Sequence, residues 1–111
     1  MTRMTDRSRR VPLHLPVRMR VAEPPSSFIE HTRSLNVSGG GLCFESHQRL
    51  EVGTPVELAI EIPRPLRRHF GDHAVFRVRA VVCRVERVAD HPVARVGARF
   101  LGEIAAGGGM V

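Results

Sequence analysis

The sequence predicts an all-β domain, a six-stranded antiparallel β-barrel with a flexible basic N-terminal arm. Three observations predict it. Short segments of alternating apolar and polar residues recur along the chain, turn-forming Pro, Gly, Asn and Asp separate them, and no segment carries a convincing amphipathic helical period. Closure into a barrel follows because six short strands in an open arrangement would leave unpaired edges exposed. At 111 residues the chain suits one domain built on a single core.

Residues 1–10 are polar and arginine-rich with no apolar period, and they read as a flexible arm. From Leu13 the pattern alternates strictly, with Leu13, Leu15, Val17, Met19 and Val21 on one face and His14, Arg18 and Arg20 on the other. This is a half-buried strand in which Pro16 points to an edge or bulge position. Glu23-Pro24-Pro25-Ser26-Ser27 turns the chain, and a second strand runs from about Phe28 to Leu35. Gly39-Gly40-Gly41 marks a turn that needs positive φ or a close backbone approach, and Leu42 to Glu45 form the third strand.

Val56, Leu58, Ile60 and Ile62 alternate with Glu57, Ala59 and Glu61 in a fourth strand, entered at Gly53-Thr54-Pro55 and stopped by Pro63 and Pro65. Arg64 to His73 is polar and basic without a clear period. The β-branched run from Val75 to Val88 predicts the longest strand. Its apolar phase passes from Phe76, Val78, Ala80 and Val82 to Val81, Cys83 and Val85, which predicts a bulge or bend near Val81. After the turn at Asp90-His91-Pro92, Val93 to Phe100 form the sixth strand, with Gly97 at its centre marking a bend or close backbone approach. The barrel is therefore assigned to residues 11–103 and a flexible glycine-rich tail to residues 104–111.

The net charge is +6 and all 17 basic residues are arginines, a balance that favours partners carrying phosphate or carboxylate. A GC-rich genome also replaces lysine by arginine, so only clusters carry functional weight, and the dense one is Arg3, Arg7, Arg9 and Arg10. With no Trp or Tyr, and with the Phe residues reading as core, an aromatic platform for single-stranded nucleic acid is disfavoured, and no specific nucleic-acid partner is assigned. Cys43 and Cys83 lie far apart in apolar surroundings and read as buried free thiols. His69 and His73 sit four apart in a stretch that is not convincingly helical, so no metal is assigned. Catalysis finds no support either: Ser38 has no neighbouring His or acid, no G-x-S-x-G surrounds it, and the glycines lack the Lys-Ser/Thr ending of a P-loop. With no apolar run of membrane-spanning length and no signal peptide, a cytoplasmic protein is expected.

Three segments together resemble the PilZ domain, a bacterial receptor module for the second messenger cyclic di-GMP. They are the basic arm running into a strand (Arg7-Ser8-Arg9-Arg10-Val11-Pro12-Leu13), the stretch Asn36-Val37-Ser38-Gly39-Gly40-Gly41-Leu42-Cys43-Phe44, and the late strand Val96-Gly97-Ala98-Arg99-Phe100. Asn36, Ser38 and Gly41 match the family pattern [DN]-x-S-x-x-G and fall between the second and third strands, where the family has it. The resemblance implies a ligand site made of Arg7, Arg9, Arg10, Asn36, Ser38 and Gly41. An arginine fork suits such a ligand, since it can pair with the O6 and N7 acceptors of guanine or grip a phosphate bidentately.

Two positions depart from the strongest form of the family pattern. Asn36 offers one acceptor oxygen where Asp would offer two for a guanine edge. The family motif R-x-x-x-R places its second arginine at Arg10, which puts Asp6 at the first. Arg7 lies one residue off and Arg9 lies inside the motif, while Arg3-x-x-x-Arg7 matches literally but three residues too early. The resemblance implies a non-enzymatic receptor or adaptor whose arm orders on cyclic di-GMP and whose new surface docks a downstream protein. The alternative is a degenerate PilZ-like interaction module that binds no nucleotide, in which the arm is a solvated tail and Asn36, Ser38 and Gly41 only shape a turn.

Overall fold

The computed structural model describes residues 11–21 and 27–104. Among these, six strands form a closed antiparallel barrel, β1 (Pro16–Val21), β2 (Phe28–Ser38), β3 (Gly41–Ser46), β4 (Pro55–Glu61), β5 (Val75–Arg87) and β6 (Ala94–Glu103), in the order β1-β2-β3-β6-β5-β4. Closure comes from the pairing of β1 with β4, Val17 opposite Ile60 through Arg20 opposite Glu57. The barrel and its six strands were legible as alternation, and the longest strand is β5. Pro16 stands at the first residue of β1, the strand position where a missing N–H is tolerated.

The inward faces fill the core. Val17, Met19, Phe44, Leu58, Ile60, Val78, Val82 and Val96 are among the buried residues packed there. Arg64–Phe70 is a 3-10 helix rather than an irregular stretch. Its Pro65 fits the first turn, where no backbone N–H is required, and Leu66 and Phe70 are partly buried against the core. Gly71 ends it in the left-handed conformation at φ 67°, a backbone state that L side chains rarely adopt. Phe70 and Phe76 meet edge to face at 5.3 Å, and Phe76 meets Phe100 at 6.1 Å.

The alternation is interrupted at three places. Ser34 pairs with Phe44 and Asn36 with Cys43, so Leu35 is an extra residue on β2. Val82 pairs with Ala98 and Arg84 with Gly97, so Cys83 is an extra residue on β5. Arg79 pairs with Gly102 and Ala80 with Phe100, which makes Leu101 an extra residue on β6. The phase change expected near Val81 therefore occurs at Cys83. The expectation for the thiols is corrected as well, because Cys43 is buried but Cys83 is exposed: next to the inward Val82, Cys83 keeps the outward phase of the strand, and the phase changes only after it, at Arg84 and Val85.

Candidate functional site

On β2 the inward residues before the bulge include Glu30 and Ser34, and after it Val37. Asn36 has the parity of Ser34, so an unbroken strand would send it toward the core. The extra residue Leu35 reverses the phase and puts Asn36 and Ser38 on the outer face. Both are half-buried there.

Ser38 and Gly41 are paired at the end of the β2–β3 hairpin. The Ser38 hydroxyl accepts from the Gly40 N–H at 3.2 Å and donates to the Gly41 carbonyl at 3.3 Å, so it shapes the turn. Gly41 is buried, and a Cβ built there would stand 2.2 Å from the Ala98 carbonyl oxygen. Of the two expectations for the triple glycine, the close approach holds, and it is to the backbone of β6. The left-handed alternative is not used at any of the three. Beside this contact, the Phe100 N–H donates to the Gly40 carbonyl at 2.8 Å, which ties the hairpin to β6.

Arg7, Arg9 and Arg10 lie outside the described residues, as does Asp6. The chain immediately after them is fixed. Val11 and Val37 exchange two backbone hydrogen bonds of 2.9 Å, so Val11 is held opposite the residue between Asn36 and Ser38. Ser34 anchors the next stretch. Its hydroxyl accepts from the Leu15 N–H at 2.9 Å and donates to the Leu13 carbonyl, and its N–H donates to the Leu15 carbonyl at 2.9 Å. The three arginines are thus one to four residues from a point fixed beside the motif, at most about 14 Å of extended chain.

The register shows neighbours that the motif alone does not. Asn36, Cys43, Gly97 and Arg84 form one outer-face row across β2, β3, β6 and β5, and Ser38, Gly41, Arg99 and Val81 form the adjacent row. Arg84 has the parity of Val82 and would point inward without the Cys83 bulge. That clash, an arginine in phase with core valines, is the sequence signal that marks it. Arg99 is exposed and stands opposite Gly41. Among the described residues no group of three or more His, Cys, Asp or Glu is placed to hold a metal ion, and no helix is long and apolar enough to cross a membrane.

The PilZ domain family profile matches residues 3–106. The chain belongs to the PilZ domain family. This is a family of cyclic di-GMP receptor domains. Among solved structures, the chain is similar to the Bacillus subtilis inhibitor of motility, with a TM-score of 0.62 and 23% identity over 91% of this chain and 44% of that one. It is also similar to the PilZ domain with c-di-GMP of YcgR from Escherichia coli, with a TM-score of 0.53 and 18% identity over 78% of this chain and 68% of that one. Likeness at these identities carries the fold, and the chain spans less than half the length of the first of these proteins. No curated protein matches the sequence.

Proposed function

We propose that this PilZ domain is a cyclic di-GMP receptor or adaptor, in which the dinucleotide is clamped between the arginines of the arm and the outer face around Asn36 and Ser38. The observation that carries this reading is the pairing of Val11 with Val37, which roots the arm beside the motif. Arg10, one bond from that root, loses the least chain entropy on reaching a ligand there. Arg7 and Arg9 reach the same volume and supply forks for phosphate or guanine, offsetting the carboxylate at Asp6. Binding orders the arm against the barrel, and the composite surface is what a downstream protein recognises. The domain performs no chemistry on the ligand and works in the cytoplasm.

Calorimetric titration with cyclic di-GMP tests this, with GMP as a control. The expected result is a saturable heat with a micromolar or weaker dissociation constant, about 8 kcal/mol or less of binding free energy, reflecting Asp6 and Asn36. A second reading, an interaction module that binds no nucleotide, is favoured by one observation: the Ser38 hydroxyl already has both a donor and an acceptor partner inside its own turn. No heat and no thermal shift at millimolar ligand would leave that second reading standing.

A further inference from the structure

We infer that Arg84 is a ligand-contacting residue of this site, a guanidinium presented by the barrel in addition to those of the arm. The inference rests on the cyclic di-GMP reading above. Two bulges on opposite sides of the bulged wall have the same effect. Leu35 on β2 turns Asn36 outward, and Cys83 on β5 turns Arg84 outward, into the same cross-strand row. Bulges of this kind re-aim side chains beside functional sites.

Between the two polar ends the row is low. Cys43 is small and buried, and Gly97 has no side chain, so the middle forms a floor. Arg84 lies over this floor: its Cβ, Nε and Nη2 are 3.5, 3.7 and 3.8 Å from where a Cβ on Gly97 would be. The guanidinium therefore leans back along the row toward Asn36. Three strand spacings separate the Asn36 and Arg84 backbones, about 14 Å, and the lean shortens the gap between their polar ends.

Charge separates Arg84 from its neighbours. Arg95, the next outward position on β6, stands between Glu45 and Glu86. Arg20 pairs with Glu57 at 2.8 Å. Arg84 has no ion pair among the described residues, and the residue opposite it is Gly97. A planar fork without an ion pair among the described residues, lying along a row of small residues, suits an anionic purine ligand, which it can grip bidentately at a phosphate or guanine edge, or stack upon.

The test is calorimetry with cyclic di-GMP on the wild type and on R84A, R84K and R95A, with each variant's unliganded melting temperature measured alongside. R84A is expected to fold normally, because an outward arginine with no ion pair among the described residues is removed, and to bind about tenfold or more weakly. R84K should recover only part of the loss, since an ammonium keeps the charge but not the fork. R95A should change affinity by no more than about twofold to threefold, the size of a screened surface charge effect. Binding by the wild type with equal small losses in R84A and R95A would overturn this inference and leave the receptor reading intact. Absence of wild-type binding would overturn the receptor reading itself, and the role of Arg84 with it.

Discussion

Where β1 meets β4 and β4 meets β5, the pairs run without interruption from Val17–Ile60 to Arg20–Glu57 and from Pro55–Val81 to Glu61–Val75. Val17, Met19, Leu58, Ile60, Val78 and Ala80 point in, the charged residues point out, and Arg20 finds its carboxylate in Glu57. Across β2, β3, β6 and β5 three extra residues break the ladder, at Leu35, Cys83 and Leu101, and Gly41 brings two backbones too close for any side chain. The regular wall maximises pairing and contributes mainly stability. The bulged wall gives up ladder regularity, and in return Asn36 and Ser38 face outward beside the root of the arm, with Arg84 and Arg99 on the same outer face. Substitutions should therefore separate by wall: stability alone on one side, ligand affinity on the other.

The largest effect belongs to the regular wall. Leu58→Ala empties a fully buried position and should cost about 2–5 kcal/mol in urea unfolding, while the cyclic di-GMP dissociation constant of the folded fraction stays unchanged. Loss of affinity without loss of stability would break the division. Next comes Gly41→Ala, whose Cβ meets the Ala98 carbonyl at 2.2 Å. It should lose about 1–3 kcal/mol by overpacking and should weaken binding as well, because the hairpin carrying Ser38 must shift.

Ser34→Ala sharpens the comparison at the join between the walls. Removing the hydroxyl leaves the Leu15 N–H without its 2.9 Å partner and frees one hold on the segment leading to the arm. A stability loss of about 1–3 kcal/mol is expected, together with weaker ligand binding. Unchanged affinity would show that the arm needs no fixed root. The smallest effect is a gain. Asp6→Arg replaces a repulsive carboxylate with a fork worth about 1.5–3 kcal/mol, less roughly 1 kcal/mol for ordering the side chain, so affinity should rise by about twofold to thirtyfold. Arg10→Ala should weaken binding more than Arg3→Ala, and the reverse order would assign function to the Arg3-x-x-x-Arg7 register.

The sequence was readable to the extent that structure follows local period. Val17, Met19, Leu58, Ile60 and Val78 could be placed in the core from alternation, because in the regular wall each residue's parity decides its face. Parity fails where the partner strand decides. Nothing local to Leu35 says that it lacks a partner, and the β5 phase change could be located only to within two residues, which misplaced Cys83. The 3-10 helix at Arg64–Phe70 was missed because Leu66 and Phe70 alone face the core, too few to show a period. For the site, Asn36, Ser38 and Gly41 were visible through a motif, and Arg84 left a local trace as an arginine in phase with core valines, whereas its row with Asn36 depends on pairing across four strands, which no linear pattern encodes.

The most direct measurement of the division between walls is a two-dimensional amide NMR titration with cyclic di-GMP. Saturable shifts are expected at Val11, Val37, Ser38, Cys43, Gly97 and Arg84, with Arg18, Glu57 and Ala59 on the regular wall unmoved. Shifts centred instead on the shallow hollow lined by Pro16, Arg18, His31 and Ala59, or no shifts at millimolar ligand, would contradict it.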